Sequence, residues 1–448
     1  MADILIKNIT IMETRPPFRI TENADVVITG SVIEKAGKNA GDGVDSAKVI
    51  DGSGKILIPG NICAHHHYYS GLSRGMLISA GPQTDFIQVL KEWWWRLDRA
   101  LDEESVYYSS LICSMEAVRQ GTTGIVDHHA SPSFIRGSLS AIAKGMEDVG
   151  VHGVTCYEVT DRNRGLEEVR EGVEENVRFA RETDERIEKG EDVLTDAMIG
   201  GHAPFTLPDA ALEMMAEAVN ETGRGMHLHV AEDKYDSVWS HHFHNEDIMK
   251  RLDRYSLLHD NTLLVHGVAL SGEEVSLLNE RGCFLAHNAR SNMNNHVGYF
   301  PYLKDVKKLV IGTDGCGGNM FEELKLAFFK HKDAGGPWWP ADFLGALSRN
   351  NELLESAFRH RARFGRIEPG YKADLVILSY NPPTPLRSEN AAGHFVWGMC
   401  SGDVESTIVN GKLLYENRAF TMLDEKRIFA EARRAAERVW AKADRIKA

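Results

Sequence analysis

Three consecutive histidines, His65-His66-His67, end an apolar run that begins at Ile56. Side chains alternate along a strand, so His65 and His67 share one side while His66 takes the other. Two imidazoles on one side of a strand end can grip one metal ion. Partners for them lie far along the chain. His229 follows Met226-His227-Leu228, and Asp314 follows Ile311-Gly312-Thr313. A mononuclear site needs three or four N/O ligands and one position left for water, which His65, His67, His229 and Asp314 supply. Imidazole plus carboxylate, without thiolate, suits one divalent metal, Zn2+ first and Fe2+ second. Glu232, three residues beyond His229, falls just past a strand end, where a proton shuttle belongs. His266 is placed to polarise the attacked bond or orient the water. Asp314 can also accept the water's proton, because a bound metal lowers the water pKa toward ~7.

Those residues need a scaffold that gathers strand ends. Eight short apolar runs, Ile56–Ala64, Thr123–Asp127, His152–Glu158, Ala197–Gly201, Gly225–Val230, Asn261–Gly267, Cys283–His287 and Lys308–Thr313, alternate with longer amphipathic segments such as Glu103–Arg119 and Asp209–Glu221. That rhythm predicts an α/β fold, a (β/α)8 TIM-like barrel over residues 59–365 whose active site lies at the strand ends. Residues 1–58 and 366–420 read as short strands with turns. Neither has apolar surface enough for its own core, so the two chain ends are expected to pair into a small composite β-sandwich. From 421 to 448, Ile428, Ala432, Ala435 and Val439 recur at helical spacing, predicting a surface helix. The charge run from Glu167 to Glu191 reads as the solvated face of a long helix. His241-His242-Phe243-His244 reads as a solvated loop or lid.

Further residues near the strand ends are candidates for substrate contact. Tyr68 and Arg74 follow the histidine motif directly. Trp94 belongs to a tryptophan run that is either core or a wall stacking a planar ring. His128 and His129 follow the second run, Arg162 the third, His202 the fourth and Asn288 the seventh. A formal charge of −14 over 448 residues argues against nucleic acid as a partner. Six scattered cysteines with no CxxC pair suit a reducing compartment. The N-terminus does not read as a signal peptide and no apolar stretch is long enough for a bilayer, so a cytoplasmic protein with no membrane partner is expected.

The motifs PGNICAHHH (59–67), HVAE (229–232), VHG (265–267), HNARSNM (287–293), GTDG (312–315) and GYKADLVIL (370–378) resemble, in order, those of the amidohydrolase superfamily in its aminohydrolase/chlorohydrolase branch. YYSGLSRGM (68–76), DHHASP (127–132) and TDRN (160–163) resemble one purine-associated subgroup of that branch. The resemblance implies a barrel with a composite β-sandwich, one divalent metal, a possible homodimer, and hydrolytic removal of an amino group from a small nitrogen heterocycle such as an aminopurine or pterin. It implies His65, His67, His229 and Asp314 as ligands, with Glu232 and His266 handling protons and orientation. Where the family usually has Pro, this chain has Ala289. No lysine stands at a strand end to bridge a second metal. The alternatives are a triazine-type chlorohydrolase or a cyclic amide hydrolase on the same metal site, and a non-catalytic barrel. Asp314 with Glu232 favours deamination, since an amine leaves only with added protons and chloride needs none.

Overall fold

In the computed structural model, which describes residues 1–447, the eight apolar runs are parallel strands joined by helices. They are β1 (Asn61–His66), β2 (Thr122–Asp127), β3 (His152–Thr155), β4 (Thr195–Ala197 and Ile199–Gly201, interrupted at Met198), β5 (Met226–Val230), β6 (Leu263–His266), β7 (Phe284–His287) and β8 (Leu309–Ile311). Ladders run from β1 to the first part of β4 and from its second part to β8. Across the interruption, the Val159 N–H donates to Gly200 O (3.3 Å) and the His202 N–H to Val159 O (2.9 Å). At the other seam the Thr313 and Asp314 N–H groups both donate to His65 O (2.9 and 3.1 Å). The strands therefore close on themselves. Asn350, on the helix Pro340–Ala357, ties the same seam: its Nδ2 donates to Ile62 O and Ile311 O, and its Oδ1 accepts from the Ile311 N–H.

The barrel interior is filled by small and branched side chains, among them Ala64, Val126, Val154, Val265, Ala286 and Val310. Such layers make the barrel a packed core with chemistry only at its rim. The helices start where local chemistry says they should. Glu103–Arg119 and Gly272–Arg281 each open on a reciprocal capping box, Asp102 with Ser105 and Ser271 with Glu274. The acidic run forms the helix Leu166–Glu188, and the terminal helix Glu425–Ala443 buries Ile428, Ala432, Ala435 and Val439. The His241–His244 segment is not a loop. It is the last turn of a helix, Lys234–His244, capped by the Asp233 side chain and closed by left-handed Asn245.

Both chain ends build one nine-stranded sheet in which Leu375–Leu378, from the C-terminal part, lies between Ile56–Pro59 and Val404–Val409. Period-2 alternation gives that sheet two faces. Leu57, Leu375 and Ile377 pack into the sheet's own core with Ile4, Ile6 and Ile33, while Ile56, Ile58, Val376 and Leu378 pack against the barrel's helical layer. The Ile33 N–H donates to Tyr371 O (2.9 Å), so the sheet folds back over its core. Among the described residues no helix is long and apolar enough to cross a membrane.

Candidate metal centre

His65 and His67 reach the barrel interior because β1 is irregular. Ala64 already faces the interior core, so strict alternation would turn His65 outward. The β1–β2 pairing shifts register between Cys63 and His66, and that bulge re-aims the chain end. On the far side of the seam, Gly312 is obligatory: a Cβ there would lie 2.8 Å from His65 Cβ and 2.3 Å from Asn288 Oδ1. Three non-glycine residues take left-handed backbone where strands end, Ala231 (φ 47°), His266 (φ 71°) and Asp314 (φ 53°). Such conformations cost of order 1 kcal/mol each and cluster at functional sites.

Four ligand atoms converge at this rim. His229 Nε2 lies 3.2 Å from His67 Nε2 and 3.4 Å from His65 Nε2. Asp314 Oδ1 lies 2.8 Å from His67 Nε2 and 3.5 Å from His65 Nε2. A tetrahedral cation with bonds of about 2.0–2.1 Å separates its ligands by about 3.3–3.4 Å. The donor set therefore fits a divalent metal. The remaining ring nitrogens are spoken for, as ligating histidines require. His67 Nδ1 meets His128 O (2.7 Å), His229 Nδ1 meets His202 O (2.9 Å), and His65 Nδ1 meets His227 Nε2 (2.8 Å). With Nδ1 donating to the carbonyls, Nε2 of His67 and of His229 is left as the metal-facing lone pair.

The electrostatics agree. Burial holds His65 and His229 well below the ordinary histidine range, keeping them neutral as ligands must be. Burial works against charge on His67 too, yet Asp314 and Glu158 hold it well above that range. The positive charge those carboxylates call for at His67 is the charge a cation at Nε2 would carry. Burial opposes ionisation of Asp314, but His67 and His65 keep it well below the usual carboxylate range.

Beside the cluster, His266 Nε2 faces Glu232 Oε2 (3.5 Å) and Asp314 Oδ2 (3.9 Å). Its Nδ1 contacts Asn292 Oδ1 (2.9 Å), Asn295 Nδ2 donates to Glu232 Oε1 (3.1 Å), and Ser291 Oγ donates to Asp314 Oδ2. Burial raises the Glu232 carboxyl above the ordinary range, opposed by His266 and reinforced by Asp314. Ala289, where the family has Pro, is the first residue of the helix Ala289–Asn294, a position either residue suits.

A cavity of about 300 Å³ opens over the centre, lined by His229, Glu232 and Asp314 and also by Trp94, Arg162 and His202. Trp94, Arg162 and His202 thus lie where substrate contact was expected. Five other candidates do not line it. Tyr68 is fully buried beneath the rim, edge-on to His66, and its neighbour Tyr69 takes the cavity position. Arg74 points to solvent and pairs with Glu116. His128 and His129 are internal, bonded to His227 O (3.2 Å) and Ser131 Oγ (2.8 Å), and Asn288 is a buried helix cap. Glu158 is the residue that sequence reasoning passed over. It lines the cavity with Oε1 3.2 Å from His67 Nδ1 and 3.1 Å from His128 Nδ1. It is the last residue of the third apolar run, the same signal that singled out the histidines.

Similarity to known proteins follows the geometry. The 5'-deoxyadenosine deaminase of Methanosarcina mazei is 30% identical over 450 residues, covering 99% of each chain. An adenosine deaminase from Xanthomonas campestris with bound zinc superposes with a TM-score of 0.83 at 22% identity, over 98% of this chain and 99% of that one. Atrazine chlorohydrolase from Arthrobacter aurescens complexed with zinc superposes at 0.80 and 21% identity, over 97% and 100%. The chain belongs to the amidohydrolase family, whose model matches residues 56–414, from the strand that leads into β1 to the far side of the second sheet.

Proposed function

We propose that this protein is a zinc-dependent hydrolase that deaminates an aminated nitrogen heterocycle of purine type, releasing ammonia. The observation that carries the reading is Glu232 and His266 packed against Asp314 at the mouth of the four-ligand cluster. His65, His67, His229 and Asp314 would hold zinc, which would supply positive charge to acidify water toward a pKa of about 7 and to steady developing negative charge. Asp314 accepts a proton from the attacking water. Glu232, kept protonated more readily by its burial, delivers a proton to the ring nitrogen beside the attacked carbon. The proton on Asp314 passes to the amino group, which leaves as ammonia, and the added hydroxyl returns its proton to Glu232 as it becomes the ring C=O beside the new N–H. His266 Nε2, aimed at the same volume, steadies the tetrahedral oxygen. Similarity to deaminases of adenosine-type compounds supports the purine-like class. A proton on the ring nitrogen would assist loss of chloride as well, so what favours ammonia as the leaving group is the similarity to deaminases.

The test is ammonia release from aminopurines, pterins and triazines by zinc-loaded protein. Glu232→Gln is expected to retain its metal and lose about 10²- to 10⁴-fold in turnover. Full turnover in that variant would remove Glu232 from the proton path. Absence of ammonia from every amino-heterocycle would remove the deaminase reading itself.

A further inference from the structure

The cavity wall carries, besides the metal ligands, a buried ion pair whose hydrogen-bonding capacity is only partly used. Arg162 Nη2 pairs with Asp98 Oδ2, and the two side chains are 7% and 2% exposed. Arg162 Nε and Nη1 and Asp98 Oδ1 are all buried with no partner among the described residues, and both residues line the cavity. Leaving such groups unpaired costs about 1–3 kcal/mol each, more when they are charged. The guanidinium also lies over the Trp95 ring (5.0 Å), and Trp95 stands edge-on to His202 (6.1 Å), which in turn neighbours the ligand His229 (5.8 Å). A wall thus runs from the metal cluster along His202 and Trp95 to a donor–acceptor pair.

We infer that Asp98 and Arg162 recognise a lactam edge of the substrate, a ring carbonyl accepting from Arg162 beside a ring N–H donating to Asp98. The substrate is then an oxo-bearing aminoheterocycle of the guanine or pterin type rather than an adenine type, whose ring carries no carbonyl. Charge argues against the other common arginine ligand, a carboxylate. Asp98 already neutralises Arg162, and Glu158 adds a negative group to the same cavity. A neutral carbonyl flanked by a donor matches the unpaired Arg162 and Asp98 atoms, which have no free surface in this structure and meet the ring once the two side chains turn toward the cavity. A ring lacking it leaves them desolvated and unpaired, the situation in which sites discriminate most strongly.

The inference rests on the deaminase reading, and matched ligand pairs keep the two separable. Guanine against 2-aminopurine, and pterin against 2-aminopteridine, differ only in the ring-oxo edge. With zinc-loaded native protein, kcat/KM is expected to favour the oxo member of each pair by at least about 100-fold. In the double variant Asp98→Asn/Arg162→Gln that ratio should fall to within about 5-fold. Calorimetric binding to zinc-loaded Glu232→Gln reads recognition without turnover. Preferential binding of the oxo ligands, with no ammonia released by the native zinc-loaded protein from these or any other amino-heterocycle, would sink the deaminase reading and leave the lactam site standing. Equal turnover within each pair, or tighter binding of a carboxylated aminoheterocycle, overturns the lactam site and leaves the deaminase. The native protein decides this even if the double variant does not fold.

Discussion

Asp236 supports the turn that presents Glu232. Its Oδ2 accepts from the Ala231 N–H (2.7 Å), fixing the left-handed residue immediately before Glu232. Burial pushes the Asp236 carboxyl up to about 7, partly offset by the Ala231 N–H. An unfolded aspartate titrates near about 3.9, so between those values the folded chain binds this proton and the unfolded chain does not. Stability from this group is therefore complete below about pH 4 and lost as pH rises through about 7, at up to about 1.4 kcal/mol per pH unit. Asp127, buried and also raised to about 7, acts in the same direction but is common to both proteins compared. Asp236→Asn keeps an acceptor and abolishes the titration. Urea midpoints of the native chain should fall relative to the variant between pH 5 and pH 8, and parallel profiles would show that Asp236 does not titrate there. Residues of this kind mark the limit of sequence reading. The ligand histidines stood out because imidazoles interrupt apolar runs at strand ends. Asp236 takes its role from a backbone N–H five residues back at a left-handed turn. Glu158 takes its role from His67 and His128 on other strand ends, contacts that its place at the end of an apolar run does not specify.

At the scale of elements, one side-chain amide reinforces the seam that the Thr313 and Asp314 N–H groups close. Asn350 satisfies three buried backbone groups on β1 and β8. Asn350→Leu keeps the volume and leaves them unpaired, at about 1–3 kcal/mol each before relaxation. A loss of about 3–5 kcal/mol is expected in denaturant unfolding, together with weaker metal retention, because His65 and Asp314 flank the same seam. A loss under about 1 kcal/mol would mean that the ladder alone holds the closure. The strands themselves were legible because their apolar runs are short, separated by amphipathic helices and bounded by polar residues. The bulge in β1 was not, since it is decided by pairing with β2 and β8 rather than by local preference. Helix Lys234–His244 was misread as a loop although Asp233 and Asn245 are its caps. Its Val238 and Phe243 are exposed, so no apolar stripe announced it.

Across the whole molecule, the terminal helix is a brace for the substrate wall. Arg96, one residue from Trp95 and two from Asp98, is buried and donates to Ser79 O (2.9 Å), Ala443 O (3.2 Å) and Asp444 O (3.2 Å). A guanidinium at the C-terminal end of Glu425–Ala443 meets the carbonyls that the helix cannot satisfy itself. Trp440 Nε1 adds a bond to Leu72 O (2.7 Å), in the segment that follows the histidine motif. The tail therefore touches both borders of the cavity wall without reaching the metal ligands. Arg96→Met retains the stem's packing and removes the Arg96 donations together with one to Glu92 O (3.3 Å). Loosening the Trp95–Asp98 segment should raise KM about 10-fold, in line with the sensitivity of catalysis to small displacements. Zinc content and kcat should change far less, since His65, His67, His229 and Asp314 sit on barrel strands that the tail does not brace. A fall in kcat with KM unchanged would place the effect at the metal centre instead. Loss of zinc would mean that the wall and the metal centre are held as one unit.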